Sequence, residues 1–304
     1  MQKIEKIAVI GGGLMGHGIA YLLADAGHVV RIFECAAESR ASLPRRLQAL
    51  VELFDADAAL LRRISVHDRL DAAVDESTFV FEAAPERLPL KQGLFAELED
   101  AVAPETVLAS NSSAIPMTEI ARHLKHRERV LGTHFWNPPH LVPLVEVIEN
   151  EWTSGEVLRK TIDLLRAAGK TPVHVHRDIP GFVGNRLQHA LKREAIALVA
   201  AGVCDAETID TVVKEGFGAR MAVLGPMEQS DLVGLDLTLE IAEVLYADLD
   251  RTAGPHPYLR EKVKAHKLGM KSGEGLRRWT PETADAVRRR LSHFLVAQAK
   301  ARRS

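Results

Sequence analysis

Cysteine is almost missing from this chain of 304 residues; Cys35 and Cys204 are the two, far apart in sequence. They make neither a disulfide framework nor a metal-ligand pattern, so a reducing, cytoplasmic setting is expected. Aromatic residues are also few, at 5% of the chain. The core must therefore be built mainly from Ala, Leu, Val and Ile. There is no excess of basic charge, the formal net charge being −2, which argues against a nucleic-acid partner. No apolar run reaches the length that spans a bilayer, so no membrane partner is expected. The opening residues lack the uninterrupted apolar region of a signal peptide. What is present, 46% hydrophobic and 26% charged residues, is a globular composition. The length suits one large or two ordinary domains.

The chain is organised around residues 132–148, Gly-Thr-His-Phe-Trp-Asn-Pro-Pro-His-Leu-Val-Pro-Leu-Val-Glu-Val-Ile. Strands are expected over 129–135 and 144–148. Pro138, Pro139 and Pro143 stiffen the loop between them, because proline cannot continue a ladder. The return of the chain lets His134 face Glu146. A histidine held by a carboxylate is a general acid/base with its orientation fixed. The plainer alternative is a core histidine beside a surface glutamate.

Residues 6–10 read as a strand buried on both faces. Gly11-Gly12-Gly13-Leu14-Met15-Gly16 follows, and a helical pattern then runs to Ala26. This places G-x-G-x-x-G between a strand and a helix. Gly11 permits the tight turn, Gly13 lets a pyrophosphate approach the backbone, and Gly16 lets the helix pack on the strand. Gly11, Gly13, Leu14, Met15 and Gly16 are the candidate cofactor residues of this turn. A second strand over 29–33 ends at Glu34, placed to bind both ribose hydroxyls and to repel a 2′-phosphate. NAD is therefore expected, rather than NADP.

Residues 36–63 read as helical, with Leu43, Leu47, Leu50, Val51 and Phe54 at helical spacing. Arg45, Arg46, Arg62 and Arg63 read as a solvated face. Strands are expected over 78–83 and 107–110, with a helix over 88–98 between them. Asn111-Ser112-Ser113 lies at the end of a strand, where open α/β sheets bind ligands. Alternatively these serines cap a helix whose first turn holds Pro116. Thr153-Ser154-Gly155-Glu156 reads as a capping box opening a helix to Ala168. The last strand is expected over 172–176, with His174 and His176 on one face and His140 in the loop above. No third ligand has recognisable spacing, so no metal is expected. Past residue 177 the pattern is helical. The fold class expected is α/β, with a mostly parallel Rossmann-type sheet over residues 1–177 followed by an all-helical domain over 178–304.

Several separated blocks resemble the NAD-dependent 3-hydroxyacyl-CoA dehydrogenases. They are Gly11-Gly-Gly-Leu-Met-Gly-His-Gly-Ile-Ala20, Ala109-Ser-Asn-Ser-Ser113, His134-Phe-Trp-Asn-Pro138, Leu144-Val-Glu-Val147, Pro180-Gly-Phe-Val-Gly-Asn-Arg186 and Lys271-Ser-Gly-Glu-Gly275. The resemblance implies a short-chain 3-hydroxyacyl-CoA oxidised to its 3-keto form by hydride transfer, as in fatty acid metabolism. It implies His134 as base, Glu146 as the residue that orients it, and Ser113 and Asn185 as holders of the substrate oxygens. It also implies Glu34, Ala83, Glu86, Lys91, Ser113, Asn137 and Lys271 as cofactor contacts, and a homodimer through the helical domain.

The chain departs from the acyl-CoA enzymes in having no lysine between residues 35 and 90, where they carry a longer, lysine-rich hairpin. Trp136 and His140 look more like relatives acting on small hydroxy acids or alcohols, such as gulonate 3-dehydrogenase or the pyridoxine-degradation dehydrogenase. The same chemistry on a small non-CoA substrate is thus the second reading. Further rivals are a lysine-based β-hydroxyacid dehydrogenase and a non-catalytic protein like the crystallins that resemble this family.

Overall fold

The structure is a computed structural model and describes residues 3–302; residues 1, 2, 303 and 304, which the expected domain limits include, lie outside the described residues. The chain divides into two compact units. One runs to Asn185 and resumes at His293, and the other is Arg186–Ser292. The sequence placed the change at 177/178.

The first unit carries β1 (Lys6–Ile10), α1 (Gly16–Asp25), β2 (Val29–Phe33), α2 (Ala37–Leu53), β3 (Ile64–His67), α3 (Leu70–Val74) and β4 (Phe79–Glu82). It continues through α4 (Leu88–Ala101), β5 (Val107–Ser110), α5 (Met117–Ala121), β6 (Val130–Phe135), β7 (Leu144–Glu149), α6 (Gly155–Ala167) and β8 (Thr171–Val175). The eight strands form one sheet in the order β3-β2-β1-β4-β5-β6-β7-β8. All neighbours are parallel except β6 and β7, which are antiparallel. The order reverses at β1, and open α/β sheets bind ligands at such a switch point.

Successive residues of a strand face opposite sides, and β1 divides accordingly. Ile7 and Val9 join a core with α1, α2 and α6, whereas Ala8 and Ile10 join a second with α4 and α5. Helices cover both faces, which is why β1, β4 and β5 read as unbroken apolar runs.

Two local expectations are corrected. The sequence reading has no strand between residues 36 and 78, yet β3 is there, paired to β2. Ile64-Ser-Val-His67 is an edge strand without a fully buried residue, so it lacks a continuous apolar run. The capping box at α6 does not form. Ser154 caps the helix by accepting from Val157 N at 3.2 Å, while the Thr153 hydroxyl donates to Val130 O at 2.7 Å.

The second unit takes most of α7 (Gly184–Ala200), then α8 (Ala206–Glu215), α9 (Pro226–Val233), α10 (Leu235–Leu245), α11 (Pro257–Lys264) and the start of α12 (Pro281–Ala301). Within it, Arg277 pairs with Glu207 and Asp210 and lies over the Trp279 ring. Helices α7, α9, α10 and α11 bury no residue, although α9 and α10 are rich in Leu, Val and Met. No helix among the described residues is long and apolar enough to cross a membrane.

Candidate active site

The antiparallel register of β6 and β7 sets His134 directly opposite Glu146. Both are buried. His134 Nδ1 lies 2.7 Å from Glu146 Oε2. The other carboxylate oxygen accepts from Val183 N and Gly184 N, each at 2.9 Å. Those amides open α7, so the carboxylate sits on a helix N-terminus, where negative charge is favoured. Burial pushes the Glu146 carboxyl up, but the His134 bond and the Gly184 and Val183 amides pull it down further, leaving it below the ordinary carboxylate range. An ionised acceptor holds the proton on Nδ1 and leaves Nε2 as the basic nitrogen.

The turn that delivers the two amides is built at a conformational cost. Phe182 has φ +49 and is wholly buried, a left-handed backbone rare for an aromatic residue. Its ring and that of Trp136 each lie 5.6 Å from the His134 ring. A Cβ on Gly184 would come within 2.4 Å of the Trp136 ring, so glycine lets the start of α7 pack there.

The loop after β5 is held by Glu86. Its Oε1 accepts from the Ser112 hydroxyl at 2.5 Å and from the amides of Ser113, Ala114 and Ile115 at 3.0, 2.9 and 3.3 Å. Burial raises the Glu86 carboxyl, and Ser112, these amides and Lys91 outweigh it, so the net shift is downward. Asn185 Nδ2 donates to Ser113 O at 3.0 Å, bringing together the two residues expected to hold the substrate. Ser112 does not cap the helix that follows, because α5 begins after Pro116 without a side-chain cap; its hydroxyl is given to Glu86. Asn111, expected with Ser112 and Ser113 at the ligand end of the strand, accepts from Phe135 N at 2.9 Å and ties this loop to the end of β6.

Lys91, expected at the cofactor, is buried and pairs with buried Glu82 at 2.7 and 2.9 Å. It also lies 3.5 Å from Glu86, so it braces the Glu86 loop from beneath.

In the turn after β1, Gly11 has φ +98, and a Cβ there would meet Ala83 O at 2.9 Å. A Cβ on Gly16 would fall 1.7 Å from Gly11 O. By contrast, a Cβ on Gly13 would meet nothing within 4 Å, which is the open approach a phosphate needs. Leu14 is exposed, and Met15 is the N-cap position of α1. Glu34 is fixed at the end of β2, accepting from Gly12 N and Ala36 N at 2.9 Å and from Ser39 Oγ at 3.1 Å. Arg46, read as a solvated residue, instead donates to Gly12 O and Gly13 O at 2.8 Å and lies 2.7 Å from His17 Nδ1. It secures the carbonyl side of the turn. A braced turn, an unfilled approach at Gly13 and a fixed carboxylate fit NAD.

Asn137 is exposed beside the cis bond to Pro138. Lys271 belongs to the other unit, where it is exposed on a turn that Ser272 braces through Leu268 N, Gly269 O and Glu274 O. His140 packs against His17 and Phe54. His174 and His176 do have a third group beside them, Glu149, which sequence spacing did not reveal because it comes from the neighbouring strand.

The family model described as "3-hydroxyacyl-CoA dehydrogenase, NAD binding domain" matches residues 6–179. The one described as "3-hydroxyacyl-CoA dehydrogenase, C-terminal domain" matches residues 181–279. The 5-formyl-3-hydroxy-2-methylpyridine 4-carboxylate 5-dehydrogenase of Mesorhizobium japonicum is 37% identical over 97% of each chain. A crystal structure of an enzyme of that activity, described as an NAD+-dependent dismutase, superimposes with a TM-score of 0.92 at 36% identity over 99% of each chain. The (S)-3-hydroxybutyryl-CoA dehydrogenase of Ralstonia eutropha superimposes with a TM-score of 0.75 at 30% identity, over 91% of this chain and 100% of that one. The chain belongs to the 3-hydroxyacyl-CoA dehydrogenase family and is an NAD-dependent oxidoreductase of that type.

Proposed function

We propose that this enzyme reversibly oxidises the alcohol of a small substrate that carries no CoA, with His134 as general base. The nicotinamide, when bound, supplies the oxidising power. His134 Nε2 takes the hydroxyl proton, and Glu146 stays ionised and stabilises the imidazolium. Ser113 and Asn185 fix the substrate oxygens, a proximity effect. The dyad at 2.7 Å carries the chemical part of this reading.

The substrate class rests on the arginines of α2 and the turn after it. No lysine lies between residues 35 and 90 to hold CoA phosphates. Of the four arginines that could replace one, Arg46 is engaged by the glycine turn and Arg63 donates to Ala24 O at 3.1 Å. The contrast in structural similarity, 0.92 against 0.75, supports the same reading. The test is NADH consumption with acetoacetyl-CoA against a panel of small keto acids and pyridine aldehyde-carboxylates. Turnover confined to the small compounds is expected, with a preference of about 100-fold or more in kcat/KM. Faster turnover of acetoacetyl-CoA reverses the assignment to the short-chain 3-hydroxyacyl-CoA reaction.

The helical unit is proposed to pair with a second copy of the chain. Leu187, Met227, Leu232, Leu235, Leu239 and Val244 are all more than half exposed, a density of apolar surface that marks an interface. Light scattering should give twice the chain mass of 33.4 kDa; a single mass at micromolar concentration counts against pairing.

A further inference from the structure

β7 and β8 run parallel, with Val147 opposite His174 and Ile148 opposite Val175. Residues two apart share a strand face, so Glu149 lies beside both His174 and His176. Glu146 points to the opposite face by the same alternation, so this cluster shares nothing with the dyad. Glu149 Oε2 is 3.2 Å from His174 Nε2, and Glu149 Oε1 is 3.9 Å from His176 Nδ1. The two imidazole centroids are 4.0 Å apart. One ligand atom from each residue lies within 4.8 Å of the other two.

The arrangement is poor as an ion pair. His174 Nε2 is buried and has no aligned hydrogen-bond partner, despite the carboxylate at 3.2 Å. One carboxylate balances one imidazolium, and two imidazoliums at this spacing repel. A divalent cation removes both difficulties. Each ring then stays neutral and gives a lone pair, and the carboxylate balances the metal.

We propose that Glu149, His174 and His176 form a site for a divalent transition-metal ion, zinc foremost, that staples edge strand β8 to β7. Two imidazoles and one carboxylate are a zinc donor set, with a further position left to water. Magnesium and calcium prefer oxygen donors alone. Bonds of about 2.0–2.2 Å around a tetrahedral zinc place ligand atoms about 3.3–3.5 Å apart. Ligand atoms as far apart as 4.8 Å must close by about 1.5 Å to reach that spacing. His176, 79% exposed at its side chain, is free to turn inward.

The test uses the untagged full chain, stripped with chelator and titrated with zinc chloride by calorimetry near neutral pH. One saturable site per chain is expected. His174→Gln and His176→Gln should each weaken it about tenfold or more, and the double variant should lose it. Zinc should raise the melting temperature of the parent, because it binds the folded state, and not that of the double variant. Cobalt(II) should give a visible absorption band that the same substitutions abolish. The double variant should still melt near the metal-free parent and bind NADH equally. Should it fold poorly, Glu149→Gln takes its place. Absence of saturable binding, or binding that survives in the folded variants, overturns the site.

Discussion

His134→Ala is expected to lower turnover by about 10²–10⁴-fold, the range general acid–base groups supply. NADH should bind as tightly as before. The glycine turn and Glu34 are built from other elements, and none of their hydrogen bonds runs through His134. Truncation leaves Glu146 Oε2 buried without its histidine, while Oε1 keeps the Val183 and Gly184 amides. Some loss of stability follows, because a buried carboxylate is short of one partner. His134→Gln separates the two effects, since its side-chain amide can still donate to Glu146 but cannot take a proton at neutral pH. Stopped-flow turnover and fluorescence titration of NADH on both variants make the check. Turnover near the parent level in either folded variant removes His134 from the chemistry. It would also reopen the lysine-based alternative.

Those elements whose signal is local were legible in the sequence. β1, the glycine turn and α1 carry their pattern within a short window, and Gly13 keeps the open approach its place in the motif implies. The placement of His134 opposite Glu146 was legible because the prolines fix a return between two apolar strands, and the register then sets the two side by side. Less legible were groups whose role depends on a distant partner. The resemblance implied Glu86 and Lys91 as cofactor contacts, and their hydrogen bonds run to the Ser112–Ile115 loop and to Glu82. Arg46 reads as a surface charge until α2 brings it onto the glycine turn. The Val183 and Gly184 amides carry no side-chain signature at all. Glu149 joins His174 and His176 only through parallel pairing, which spacing along one strand cannot express.

Glu146→Gln replaces a two-sided acceptor with a group that has one acceptor and one donor side. If the new carbonyl oxygen faces the Val183 and Gly184 amides, the NH₂ group faces His134 Nδ1. The proton of the neutral ring then moves to Nε2, where it blocks acceptance of the substrate proton. With the amide flipped, the NH₂ group meets two backbone N–H donors. Either way an interaction seen with the carboxylate is lost. Turnover should fall about 10²–10⁴-fold with cofactor affinity nearly unchanged. The pH dependence of stability gives a second readout. The folded Glu146 carboxyl lies below its ordinary value. Its contribution is therefore present above the ordinary carboxylate range and is lost as pH falls through the depressed value. The substitution removes that contribution, so stability of the variant should decline less steeply on acidification. Glu86, shifted in the same direction, keeps part of the slope. Urea melts across the acid range, set beside turnover at neutral pH, test both parts. An unchanged acid slope together with parent-like turnover would mean that Glu146 neither stays ionised nor orients the histidine.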